Sequence, residues 1–126
     1  GSHAEHGAST LGVVANTAAY TGGAGWLDDV LAYLDDNRRL LADLVAEYLP
    51  GVRYTPPEGT YLAWLDCREL DLPEPGAFFL QRAGVALTDG LLCGVAGTGF
   101  ARLNVATPRP VLEQTVERMG AALAAR

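Results

Sequence analysis

"GTGFARLNVATPRP", residues 97–110, is the stretch on which the fold reading turns. Side chains of an extended chain alternate between faces. Ala101, Leu103, Val105 and Thr107 therefore share one face, and Phe100, Arg102, Asn104 and Ala106 the other. The first set reads as core under helices, which predicts a strand over 100–107. Thr107 is then expected to cap a closing helix with Pro108 at its first position. Val111, Thr115, Met119 and Leu123, with Leu112 and Val116 beside them, form the buried stripe expected of that helix.

Working outward, the same periodicities assign the rest. Leu11 to Tyr20 reads as a short alanine-rich helix, broken by the glycine cluster Thr21 to Gly25, a candidate hinge. From Trp26 to Leu49, the positions Trp26, Val30, Leu31, Leu34, Leu41, Leu44, Val45 and Tyr48 recur at helical steps. Asp35–Arg39 and Arg39–Asp43 stand four apart on the polar side of this long amphipathic helix. A strand is expected over Gly59 to Asp66, a helix over Pro75 to Ala83 and an extended piece at Val85 to Leu87. The expected class is α+β, a small mixed or antiparallel sheet covered by helices on one face. Its other face is left open.

Composition narrows the function. The 126 residues suffice for one core, and their 49% hydrophobic and 19% charged content is that of a globular chain. A net charge of −6 repels phosphate backbones and anionic lipid, so neither nucleic acid nor a membrane is expected as a partner. With no membrane-length apolar run and no signal-peptide pattern, the expected location is cytoplasmic. Cys67 and Cys93 stand apart without metal-ligand spacing, so they read as ordinary reduced thiols and no metal site is expected. The opening GSH reads as a tag remnant; His3 belongs to it, and His6 is lone and near the terminus. All nine basic residues are arginine. Without lysine, the chain has no side-chain amine to form a Schiff base.

Two readings of Arg102 stand side by side. It is either a solvated strand residue paired with a surface acid, or a carboxylate clamp, since a guanidinium presents donors in a fork that matches a carboxylate two bonds at a time. Asn104 shares its face, beside the loop "DGLLCGVAGTG" (89–99). The glycines of that loop precede a strand and not a helix, so they do not form a dinucleotide fingerprint and read as a flexible loop. Tyr61 and Trp64 fall on opposite faces of their strand, so one of them faces the open side. Tyr20 sits beside the glycine cluster, where its hydroxyl is available.

Three motifs in order, "NTAAYTGGAGWLDDVLAYLDDNRRLLADLV" (16–45), "PPEGTYLAWLDCREL" (56–70) and "GTGFARLNVATPRPVLEQTVERM" (97–119), resemble the C-terminal part of fold-type I pyridoxal-phosphate enzymes. Within the class I/II aminotransferase superfamily the resemblance is closest to C–S lyases of the MalY/PatB, cystathionine beta-lyase kind, and it runs from about Leu11 to Leu123. It implies that residues 1–10 are tag and disordered start, 11–25 a remnant of the large domain with a hinge, and 26–126 the C-terminal small domain. It implies that Arg102 binds the α-carboxylate of an amino-acid substrate, with Asn104, Tyr61 and Tyr20 as cleft-facing neighbours. The cofactor implied is pyridoxal 5'-phosphate, held covalently by a missing N-terminal domain and not by this chain, in a homodimer. The isolated chain is then inactive, and no residue in it is catalytic. The implied activity of the parent enzyme is β-elimination from a thioether such as cystathionine, giving thiol, pyruvate and ammonia. Transamination within the same superfamily, and a non-catalytic module binding a carboxylate or a partner, are the alternatives left open.

Overall fold

The computed structural model describes residues 7–126, and the expectations for the opening GSH, His3 and His6 lie outside the described residues. The described residues divide into two compact units, one ending at Tyr33 and the other running Leu34–Arg126.

In the first unit, helix α1 (Thr10–Gly22) is capped by Ser9, which is extended and whose Oγ accepts the Gly12 amide at 3.0 Å. None of its residues is buried; Leu11 and Tyr20 are 83% and 85% exposed. The break expected over Thr21 to Gly25 shrinks to Gly23 alone. Gly23 keeps near-helical angles, and its N–H still reaches the Ala19 carbonyl at 2.9 Å, so helix α2 (Ala24–Tyr48) begins at the next residue.

α2 continues into the second unit and there buries Leu34, Asn37, Arg38, Leu41, Leu44 and Val45. The predicted apolar stripe therefore holds from Leu34 onward, while Trp26 and Leu31 are exposed. Asp35 takes Arg39 as expected, and Arg38 as well at 3.3 Å.

Strand β1 (Leu62–Asp66), helix α3 (Pro75–Ala83), strand β2 (Thr88–Asp89), strand β3 (Phe100–Asn104) and helix α4 (Arg109–Ala124) complete the unit. The sheet is antiparallel with the order β1-β3-β2, so β3 is central. Ala63 and Leu65 on β1 pair with Leu103 and Ala101 on β3, and all four are buried. They meet Leu41, Leu44 and Val45 of α2, Phe79 of α3, and Leu112, Val116 and Met119 of α4 in one core. Each fully buried apolar side chain of this kind contributes roughly 1.5–3 kcal/mol.

Four boundaries differ from expectation, each for a local reason. β1 starts at Leu62 and not Gly59 because Thr60 adopts φ +64°, a left-handed conformation no strand accommodates. Val85 to Leu87 is not a strand: the Val85 amide is spent on the Phe79 carbonyl, closing α3 behind Gly84 at φ +64°, and pairing begins at Thr88. β3 ends at Asn104, whose Oδ1 accepts the Ala106 amide at 2.8 Å and turns the chain. Pro108, not Thr107, is the N-cap of α4, so the helix starts one residue late with Pro110 in its first turn. The buried stripe differs as well: Ala122 joins Leu112, Val116, Met119 and Leu123 in the core, while Val111 is 48% exposed and Thr115 half-buried.

Candidate functional site

Arg102 lies at the middle of the central strand, directly across from Trp64 on β1 and Thr88 on β2. Strand alternation puts Leu62, Trp64 and Asp66 with Phe100, Arg102 and Asn104 on the face away from the core. The guanidinium is half-buried. One of its terminal nitrogens is 3.4 Å from Thr88 Oγ1, the other 3.9 Å from Cys93 Sγ. These are weak, neutral neighbours for a full positive charge.

The acids on the same sheet are already committed. Asp66 takes Arg68 in a two-pronged pair, Nε to Oδ1 at 2.9 Å and a terminal nitrogen to Oδ2 at 2.8 Å. The Arg68 hydrogen bond holds the Asp66 carboxyl below the usual carboxylate range. Asp89 spends Oδ2 on the Gly76 amide at 3.1 Å and Oδ1 on the Leu91 amide at 3.0 Å. Among the described residues no carboxylate lies within ion-pair distance of Arg102. A cation whose neighbouring acids are occupied keeps its donors available to solvent or to an external anion, and its fork matches the geometry of a carboxylate.

Apolar rings border this cation. Trp64 stacks on Phe100 with centroids 5.2 Å apart and planes 15° off parallel, and Arg68 lies 4.9 Å over the other ring of the pair, Phe100. Behind them the loop before β3 forms two 3-10 turns, Gly90–Cys93 and Val95–Gly97. A Cβ on Gly90 would collide with the Gly97 carbonyl, and a Cβ on Gly97 with the Gly90 carbonyl. The glycine run therefore serves a backbone crossing, where the sequence suggested a flexible loop. That crossing carries Cys93 to Arg102.

The other expected neighbours are placed as follows. Asn104 is on the face of Arg102, exposed, and its side-chain oxygen caps the turn at Ala106. Tyr61 precedes β1, is 49% exposed, and offers its carbonyl to the Val105 amide at 2.8 Å. Of Tyr61 and Trp64, it is Trp64 that stands across from Arg102. Tyr20 belongs to the first unit, on the exposed surface of α1. Cys67 is fully buried, and burial pushes its thiol up to about 12, which leaves it protonated and inert. No cluster of potential metal ligands occurs among the described residues.

Two residues of this region escaped the sequence reading. Asn37 is fully buried, and its Nδ2 donates to the carbonyls of Val105 and Thr107, both at 2.9 Å. Arg38, 7% exposed, donates from Nε to the Thr60 carbonyl at 2.9 Å. Both occupy helix positions between Leu34 and Leu41 where the apolar stripe should continue. Polar residues at core spacing were the available signal.

No family model matches the chain. Single relatives do. It is 48% identical over 139 aligned positions to a Mycobacterium tuberculosis protein provisionally named cystathionine beta-lyase, covering 96% of this chain and 34% of the relative. To the MalY protein of Escherichia coli it is 39% identical over 110, covering 86% of this chain and 28% of that protein. Among solved structures, the pyridoxal-phosphate-bound C–S lyase of Staphylococcus hominis superposes with a TM-score of 0.87 at 37% identity, over 92% of this chain and 32% of that one. The chain thus spans about a third of the length of the curated relatives it matches. By sequence and by fold it is a C-terminal segment of the pyridoxal-phosphate-dependent C–S lyase group typified by MalY and PatB.

Proposed function

We propose that the protein to which this segment belongs is a C–S lyase that eliminates the β-thioether substituent of an amino acid such as cystathionine, and that Arg102 is its substrate-carboxylate clamp. The observation carrying the second half is the half-buried guanidinium on the open sheet face whose neighbouring acids are all engaged elsewhere. The names of the relatives carry the first: besides those above, PatB of Bacillus subtilis is a cystathionine beta-lyase 33% identical over 119 positions.

The residues present fit the substrate side of such a site and not the anchoring of the cofactor. With no lysine in 126 residues, the amine that holds pyridoxal phosphate must come from the rest of the polypeptide. When bound, that cofactor supplies an electron sink for the pair released at the substrate Cα. This segment contributes position. Two parallel N–H···O bonds from Arg102 fix the α-carboxylate, and with it the direction of the Cα–H bond about the remaining axis. Thr88 and Cys93, in contact with the two terminal nitrogens, hold the guanidinium plane without neutralising it. The Trp64–Phe100 stack gives that charge an apolar flank, which strengthens its attraction for an anion. Asn104 and Tyr61 are the further cleft-lining residues of this reading, a homodimer its assembly, and the cytoplasm its location.

The test uses the full-length holoenzyme with cystathionine and no keto acid, following pyruvate, ammonia and free thiol together. Sustained, equal production of all three is expected. A single stoichiometric half-reaction that restarts only on adding a keto acid would replace elimination by transamination. For the clamp, Arg102→Ala should lower kcat/KM by about 30-fold or more, the lower end of the roughly 2–5 kcal/mol of a buried charge pair, while the cofactor stays bound. Unchanged kcat/KM would remove Arg102 from the site.

A further inference from the structure

The proposed clamp leaves unexplained why α2 carries an amide at the centre of its buried face. Asn37 is 0% exposed, between Leu34 and Leu41, where a leucine would bury more apolar surface. Its two Nδ2 hydrogens reach carbonyls 68 and 70 residues away in sequence, Val105 and Thr107, each at 2.9 Å. Its own Oδ1 is buried without a partner. An orphaned buried acceptor is a standing cost, so the side chain is held there for its donors. The orientation is fixed as well, because turning the amide over would set an oxygen against two carbonyls.

The two acceptors lie just past the end of β3, three and five residues beyond Arg102. The next residue of α2, Arg38, takes the Thr60 carbonyl at 2.9 Å, on the chain entering β1. The Val105 amide meanwhile donates to the Tyr61 carbonyl at 2.8 Å, tying those two chain ends together. One helical step of α2 thus grips both chains at the same end of the sheet. It sets where β3 sits along its own axis, and so where the base of the Arg102 side chain stands.

Resting on the clamp reading above, we infer that Asn37 is a positioning residue for Arg102: it touches no substrate, and acts by fixing the backbone from which the carboxylate-binding guanidinium projects. A clamp that must meet two carboxylate oxygens at once is sensitive to displacement of its base by a fraction of an ångström.

The experiment measures, in the full-length holoenzyme, Kd for L-methionine and for its decarboxylated counterpart, 3-(methylthio)propylamine, by calorimetric titration. The Kd of the amine divided by that of L-methionine reports carboxylate recognition and is indifferent to a general loss of stability. Arg102→Ala should collapse the ratio; if it does not, the clamp reading falls first and this inference with it. With that reading standing, Asn37→Ser, which keeps one donor, should lower the ratio by about 10-fold, the effect of about one lost hydrogen bond. In the Arg102→Ala background the same substitution should change it no further. A wild-type ratio in Asn37→Ser, or an equal fall in the Arg102→Ala background, would overturn the assignment. Asn37→Asp, matched in shape but with an oxygen facing the two carbonyls, is read by the same criterion should Asn37→Ser not fold. Failure of both variants to give soluble holoenzyme would assign Asn37 to the fold alone.

Discussion

The two cysteines show how far position decides the chemistry of one side chain. Cys67 follows β1 directly and lies in the core, with its thiol pushed up to about 12 mainly by burial, while Cys93 is exposed beside the Arg102 guanidinium. Iodoacetamide at neutral pH should therefore modify Cys93 and spare Cys67 in the native chain, as peptide mapping would show; labelling of Cys67 before unfolding would contradict its burial. Asp66 illustrates the same dependence through charge. Its carboxyl titrates below the ordinary value because Arg68 hydrogen-bonds it, so its contribution to stability is full above the unfolded carboxylate range and is lost as pH falls through the lowered native value. Thermal melts of wild type and Asp66→Asn should accordingly differ at pH 6 and converge as the pH falls through the lowered native value and the wild-type carboxylate is protonated too. The difference is modest, since Arg68 itself is largely exposed.

At the scale of elements, the legible parts were those with an unbroken period. Helix α3 falls where the sequence places it, and the alternation around Arg102 assigns both faces of β3 correctly, because each rests on a repeated apolar spacing that the core enforces. What was not legible depends on partners distant in the chain. Asn37 and Arg38 look like surface residues until the carbonyls of Thr60, Val105 and Thr107 are seen to arrive at them. Alternation left open which of Tyr61 and Trp64 faces the open side, and the place of Trp64 across from Arg102 follows from strand register, which periodicity does not fix. The glycine loop was misjudged for a related reason: composition suggests mobility, whereas Gly90 and Gly97 are glycine because two backbones cross where no Cβ fits. Gly90→Ala and Gly97→Ala should each destabilise the chain by about 2 kcal/mol or more, with the backbone forced apart. Gly94→Ala, where nothing stands within 4 Å of the added carbon but φ is +123°, should cost about 1–2 kcal/mol through strain alone. Urea denaturation of the three variants separates collision from strain, and equal midpoints for all three would show that the crossing does not constrain the loop.

For the whole molecule the proposed function implies a division of labour. The segment holds an arginine suited to a substrate carboxylate, and it matches about a third of the length of enzymes whose cofactor is pyridoxal phosphate, yet it contains no lysine. An imine to pyridoxal phosphate needs a primary amine, and arginine, protonated throughout the accessible pH range, does not serve. Incubating the isolated 126-residue chain with pyridoxal phosphate and reducing with borohydride should therefore add mass at the N-terminal amine and nowhere else. The same treatment of the full-length protein should place the reduced adduct on a peptide outside the sequence of this chain. Mass spectrometry of a digest decides both at once. An adduct on any internal peptide of residues 7–126 would show that the segment anchors the cofactor after all, and the separation of substrate clamp from cofactor anchor would then have to be abandoned.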